Sequence, residues 1–228
     1  MPEPYDPPGL LAADDAPVAR DDAPAIVLSF DVEEHHRIEA AAGLRLDPAL
    51  VATYGARLGP ATRYLLERLE DHGIKATFFV VGEIARTTPG LVQDIHSAGH
   101  ELACHGWDHQ TVHRFTPASF LEDVRRCKGA LEDVTGEPVA GYRAPTFSVV
   151  RQTAWAIDVL AQAGLRYDSS IYPVRHDRYG IPQAPRAPFL HFAIPIAVAQ
   201  PPSTPRDCLT AASGPPTDLI VRLQHLVI

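Results

Sequence analysis

The amino-acid sequence predicts an α/β domain built on a largely parallel sheet, and three observations predict it. Short apolar runs rich in strand formers recur at AIVLSF, KATFFVV and HELACH. Helical stripes opened by Thr-Pro and closed by Gly lie between them. The order strand, helix, strand, helix then repeats, which right-handed crossovers turn into parallel neighbours. A closed barrel and an open sheet both satisfy that pattern.

Residues 1–24 are rich in Pro and Asp and predict a flexible N-terminal arm, with the domain spanning 25–228. Residues 25–30 read as a buried strand ending at Asp31, followed by a polar stretch to about Tyr54. A helix is expected over 60–72, with Pro60 in its first turn, Leu65, Leu66 and Leu69 on one face and Gly73 as its stop. Residues 75–81 form the second strand. Thr88 and Pro89 open the next helix, lined by Leu91, Val92 and Ile95 and ended by Gly99. Residues 100–105 form the third strand. Thr116-Pro117 repeats the cap signal before the stripe Phe120, Val124, Cys127, Leu131, and Gly136 closes that helix. PVAGYRAP holds a short strand before Arg143, a helix over 150–163 ends at Gly164, and LRYDSS supplies another strand. Beyond about Pro182 prolines crowd in and both periodicities fade. Residues 187–228 are therefore expected to be irregular, apart from an apolar alternation over 218–228 that fits a last strand.

Composition narrows the function. Twenty Lys+Arg against 28 Asp+Glu give a formal charge of -8, and no basic stripe is present to hold nucleic acid. Cys104, Cys127 and Cys208 form no CxxC pair, so neither a disulfide framework nor a cysteine zinc knuckle is indicated. No Gly-rich loop follows the first strand, where a dinucleotide site would need one. The N-terminus lacks a basic region followed by an apolar stretch, and no apolar run is long enough to span a bilayer. The expectation is a cytoplasmic protein without stable membrane insertion, of open oligomeric state.

Three polar clusters follow three different predicted strands. In FDVEE, Asp31 and Glu33 are two residues apart and point to one side if strand geometry persists. One carboxylate can then bind a metal while the other serves as general base; Glu34 replaces Glu33 as ligand if the strand ends early. In HGWDH, His105 and His109 share a face if the segment is helical. Two imidazoles and one carboxylate suit catalytic zinc, because water or substrate fills the remaining position, and suit other divalent transition metals as well. In GYRAP, Arg143 beside Asp31 would hold it ionised and oriented, and Pro145 would fix the backbone beyond. Trp107 either stacks on a sugar or packs against the core. Asp108 is expected to be solvated or to support a histidine. Cys104 is expected to be small and buried, and His96, His100 and His113 to be surface or capping residues.

Together SFDVEEHH, ATFFVVGEIA, HELACHGWDHQTVHR, GYRAPTFSV and GLRYDSSIYPVRHDRYGIP resemble the NodB-homology polysaccharide deacetylases, over about residues 25–186. The closer likeness is to the exosortase-associated bacterial branch, which carries FDVE. The resemblance implies a distorted (β/α)7 barrel, here expected to be incomplete at its C-terminus. It further implies a catalytic divalent ion, Zn2+ first with Co2+ or Ni2+ as alternatives. The implied reaction is hydrolysis of acetyl groups from an N-acetylated oligo- or polysaccharide, releasing acetate. Carried over by position, Asp31 is the base, Arg143 its partner, Glu33, His105 and His109 the ligands, and the Thr146 N–H an oxyanion donor. Trp107, Tyr142, Pro145 and Asp168 are the expected substrate-side residues. The family's general acid is a late histidine; His225 is the candidate here, and a truncated or frameshifted ending is the competing expectation. Two alternatives stand beside this reading: a related amidohydrolase acting on a small non-sugar amide, and a catalytically impaired sugar-binding relative.

Overall fold

The structure, a computed structural model, describes residues 27–41, 43–186, 188–192 and 218–221. The expected arm over 1–24 and His225 lie outside the described residues. Five short strands run parallel in chain order: β1 (Ser29–Val32), β2 (Thr77–Val80), β3 (Glu101–Cys104), β4 (Gly141–Tyr142) and β5 (Tyr167–Asp168). Helices α1 (His35–Ala41) and α2 (Pro48–Asp71) join β1 to β2; α3 (Gly82–Thr87) and α4 (Pro89–Ser97) join β2 to β3. Helix α5 (Pro117–Thr135) leads to β4 and α6 (Trp155–Gln162) to β5. Two later strands, β6 (Phe189–Phe192) and β7 (Asp218–Val221), extend the sheet in the order β1-β2-β3-β4-β5-β7-β6. Strand β7 lies parallel to β5, and β6 antiparallel to β7. The expected α/β fold on a parallel sheet is present. Among the described residues no strand pair joins β6 back to β1.

Register is the feature that positions everything else. Val32 pairs with Val80, Val80 with Cys104, Cys104 with Tyr142 and Tyr142 with Asp168, one row across five strands. The next residues continue the ladder: the His105 N–H donates to the Val80 carbonyl, Arg143 to Cys104 and Ser169 to Tyr142, at 3.0, 2.9 and 2.8 Å. Successive side chains point to opposite faces. One face carries Phe78, Val80, Leu102, Cys104 and Tyr142 into the main core with Ile84, Leu91, Phe120 and Ile157 of the helices. The other carries a small cluster of Phe79, Ala103 and Tyr167.

Local sequence explains most element ends. Helix α5 has a reciprocal cap between Thr116 and Ser119, and Gly136 ends it in the left-handed region at φ 73°. Five expectations need correction. The helix expected to start at Pro60 starts at Pro48, because the Asp47 carboxylate accepts the Ala49 N–H at 2.7 Å. Pro60 lies inside that helix, where its nitrogen has no hydrogen to donate to the preceding turn. The first strand runs through Asp31 to Val32. The 150–163 helix is a single tight turn, Arg151–Thr153, followed by α6. The stretch beyond 187, expected to be irregular before its last strand, contains β6. His100 is buried rather than superficial: its Nδ1 accepts the Ala76 N–H at 3.2 Å and its ring meets Phe78. Cys104 is buried as expected. Among the described residues no helix is long and apolar enough to cross a membrane.

Candidate functional site

The polar residues singled out in the sequence leave the carboxyl ends of the strands, where α/β sheets place their sites. Glu33 follows β1, His105 follows β3 and Arg143 follows β4, each one step past the paired row. Asp31 lies on the same face as Glu33, two residues earlier.

Glu33, His105 and His109 each bring one donor atom within 4.8 Å of the others. The Glu33 Oε2 atom is 2.5 Å from His109 Nε2, and the two imidazole centres are 5.1 Å apart. His105 Nε2, which faces this cluster, is buried without a hydrogen-bond partner. Buried polar atoms are rarely left so, and carboxylate oxygen with imidazole nitrogen is a donor set that a divalent ion satisfies. The His105 tautomer agrees. Its Nδ1 sits 2.8 Å from the Arg143 carbonyl, which can only accept, so Nδ1 carries the proton and Nε2 the lone pair. Burial pulls the His105 pKa below the usual value, against the opposing pull of Asp31 and Glu33, and so favours the neutral ligand form. Glu34, the alternative ligand, is instead paired with Arg37, which also binds Asp108.

The HxxxH segment is not helical, contrary to the condition under which the two imidazoles were expected to share a face. His109 has φ 52°, a left-handed conformation that costs on the order of 1–3 kcal/mol for an ordinary residue. The loop is held by its surroundings. The Gly82 and Glu83 N–H groups at the start of α3 donate to the carbonyls of Gly106 and Trp107, both at 2.9 Å. The Trp107 N–H donates to Asp123 of α5 at 3.0 Å, and the Val112 N–H to Ser148 Oγ at 3.0 Å. Burial raises the Asp123 pKa to about 6, and the Trp107 N–H and Arg126 only partly offset it. Gly82 is required here: a Cβ would come 2.8 Å from the Trp107 ring and 3.0 Å from the α5 backbone at Cys127.

Arg143 is 1% exposed and organises the second half of the site. It donates to Asp31 Oδ1 at 2.5 Å, to Ser29 Oγ at 2.8 Å and to Ser169 Oγ at 3.2 Å, and its guanidinium lies 3.8 Å from the centre of the Phe79 ring. Burial lowers its pKa and the Asp31 charge works against that shift. Asp31 Oδ2 is also 3.8 Å from His105 Nε2, so the carboxylate stands between the guanidinium and the imidazole. A cavity of about 700 Å³ opens beside Asp31, Glu33 and Arg143. Thr146 and Phe147 both have φ 52°, and the exposed Thr146 borders a second cavity.

Of the substrate-side candidates, Tyr142, Pro145 and Asp168 are buried and Trp107 is half-buried. Tyr142 points to the helix side, 1% exposed, its ring edge-on to Phe120, because alternation turns it away from Arg143. The Trp107 ring packs between Gly82 and the Arg126 guanidinium, 3.7 Å from its centre. Pro145 is buried, its ring facing Gly106 of the histidine loop. Asp168 is fully buried and accepts both the N–H and the hydroxyl of Ser170, at 2.9 and 2.5 Å; Ser170 Oγ in turn accepts the Ala144 N–H at 2.7 Å. It therefore braces the Arg143 segment. Burial raises its pKa to about 6 despite the hydrogen bonds from Ser170. Ser29, Ser169 and Ser170 were not singled out in the sequence; the signal for the last two was the YDSS run, read only for its aspartate.

A family model described as polysaccharide deacetylase matches residues 45–167. The chain belongs to that family. The matched span includes His105, His109 and Arg143, while Asp31 and Glu33 precede it. Peptidoglycan-N-acetylglucosamine deacetylase PgdA of Listeria monocytogenes is 30% identical over 103 residues, 41% of this chain and 22% of that protein. Peptidoglycan deacetylase-like protein FGM2 of Gibberella zeae is 31% identical over 109 residues, 47% of this chain and 31% of that protein. This chain thus matches less than a third of the length of either relative. A crystal structure of a Mycobacterium smegmatis protein assigned to the polysaccharide deacetylases superposes with a TM-score of 0.60 at 26% identity, covering 92% of this chain and 62% of that one.

Proposed function

We propose that this chain is a metal-dependent carbohydrate N-deacetylase that removes acetyl groups from an N-acetylated amino-sugar polysaccharide and releases acetate. The observation that carries the reading is the convergence of Glu33, His105 and His109, one donor atom of each within 4.8 Å of the others, beside the Asp31–Arg143 pair. A divalent ion held there, Zn2+ by preference, would supply Lewis-acid polarisation and lower the pKa of water. The chain's own residues do the rest. Arg143 holds and aims Asp31 through its Oδ1 atom, so that Asp31 accepts the proton of the attacking water. The exposed Thr146 offers its backbone N–H to the carbonyl oxygen as it becomes an oxyanion, and as the C–N bond then breaks the departing nitrogen takes a proton, for which His225 is the proposed donor, leaving acetate and a free amine. Ser29 and Ser169, which accept from the Arg143 guanidinium, prevent it from swinging out of reach of Asp31. The proposal extends to the wall of the site: the seven strands in their observed order are read as a distorted (β/α)7 barrel, and FDVE with the 172–181 loop as marks of the exosortase-associated branch.

The test is acetate release by zinc-loaded protein from an N-acetylglucosamine oligomer. Release by the wild type, abolished in His105→Ala, is expected. A wild type that binds zinc yet liberates no acetate from any acetylated amino-sugar polymer would refute the activity.

A further inference from the structure

The structure assigns a second role to the loop after β5: we propose that the cavity between Thr146 and residues 172–181 is a subsite that stacks the sugar unit next to the one being deacetylated. The inference rests on the deacetylase reading above. The cavity measures about 730 Å³, and Thr146, Phe147, His176 and Tyr179 lie on its wall. Its link to the chemistry is Phe147. That ring centre is 6.0 Å from the Arg143 guanidinium, which holds Asp31, and 5.6 Å from the Tyr179 ring.

The wall is aromatic and its rim is polar. Phe147 stacks on Tyr172 with centres 5.7 Å apart at 24°, and His176 stacks on Tyr179 at 3.9 Å and 9°. Phe147 and Tyr179 are half-buried, and the His176 side chain is 39% exposed. Asp177 and Arg178 stand at the same cavity. A pyranose has an apolar face of C–H groups and a rim of hydroxyls. It therefore fits an aromatic platform edged by a carboxylate and a guanidinium, where its face packs and its hydroxyls find acceptors and donors.

The loop is also preorganised. The Ile181 and Val174 N–H groups both donate to the Tyr172 carbonyl at 2.8 Å, which ties the ends of the segment together. Gly180, at φ 102°, lies against the Val174 carbonyl where any Cβ would collide, and Ile181 anchors the exit in the core. A platform fixed before the ligand arrives spares the cost of ordering it on binding.

The experiment compares zinc-loaded wild type, Tyr179→Ala, His176→Ala and Tyr179→Phe on the N-acetylglucosamine tetramer and monomer, with calorimetric binding of the tetramer measured alongside. The ratio of kcat/KM for tetramer over monomer should fall about tenfold in both alanine variants, through KM, a loss of about 1.4 kcal/mol. Tyr179→Phe should retain the wild-type ratio, since the ring and not the hydroxyl forms the platform. Ratios within about twofold of wild type in both alanine variants overturn the subsite. If the wild type releases no acetate, the deacetylase reading has failed and binding decides the subsite. It stands if the tetramer binds wild type and about tenfold more weakly to the alanine variants. It falls if the wild type does not bind the tetramer or the variants bind it equally well. His176 is exposed on the loop, so its variant keeps the comparison valid should Tyr179→Ala unfold.

Discussion

Val32, Val80, Cys104 and Tyr142 form one paired row on the helix side of the sheet and are at most 3% exposed. One residue further along the same strands stand Glu33, His105 and Arg143, with converging donor atoms or a buried charge. The two sets have the same neighbours in sequence and opposite surroundings. Alternation alone separates a set that stabilises from a set prepared for chemistry. The helix-side set should therefore respond to mutation in stability, and the inner set in activity.

The sharpest contrast pairs Asp31 with Tyr142. Asp31→Asn should lower kcat by about 10²–10⁴-fold, as expected for loss of a general base, while zinc stoichiometry is retained. Steady-state acetate release with metal analysis checks it. Tyr142→Ala should do the reverse. Removing a fully buried ring costs about 3–5 kcal/mol of stability in denaturant titration, and the fraction that stays folded should still bind zinc. Equal loss of activity per folded molecule in both variants would break the division between the two faces.

Gly82→Ala tests the brace between them. Its Cβ meets the Trp107 ring and the α5 backbone, so overpacking should cost about 1–3 kcal/mol and weaken zinc binding by displacing the histidine loop. A thermal melt and a zinc titration on the same sample separate the two effects. The smallest effect concerns Asp123, whose folded pKa of about 6 exceeds its ordinary 3.8. Between those values the folded state holds the proton more tightly than the unfolded chain. The group's stabilising contribution is therefore complete below about pH 3.8 and is lost as pH rises through about 6. Asp123→Asn keeps the acceptor for the Trp107 N–H and removes the titration. The stability difference between variant and wild type should grow by about 1–2 kcal/mol in the variant's favour from pH 4 to pH 7, after allowance for partial solvent access.

Much of this was legible in the sequence because it depends on local rules. Thr116-Pro117 with Gly136 marks the bounds of α5, and the apolar runs before Asp31, His105 and Arg143 place those residues at strand ends. What escaped depends on tertiary structure. Asp47, and not Pro60, opens α2, because its carboxylate caps the helix further upstream and Pro60 is carried inside. Convergence of His105 and His109 comes from a left-handed residue and four hydrogen bonds from α3, α5 and Ser148, none visible in HxxxH spacing. Tyr142 was grouped with the substrate by its nearness to Arg143, although period-two alternation already separates the two. Ser29 and Ser169 are ordinary residues until Arg143, over a hundred residues from the first of them, reaches both.

Zinc titration of the metal-free protein by calorimetry, repeated in Glu33→Ala, Glu34→Ala, His105→Ala and His109→Ala, tests the convergence of the three donors most directly. About one ion should bind per wild-type chain and per Glu34→Ala chain, with binding lost or weakened at least tenfold in the other three. Wild-type protein that takes up no zinc, or zinc affinity that survives in Glu33→Ala and is lost in Glu34→Ala, would contradict the account.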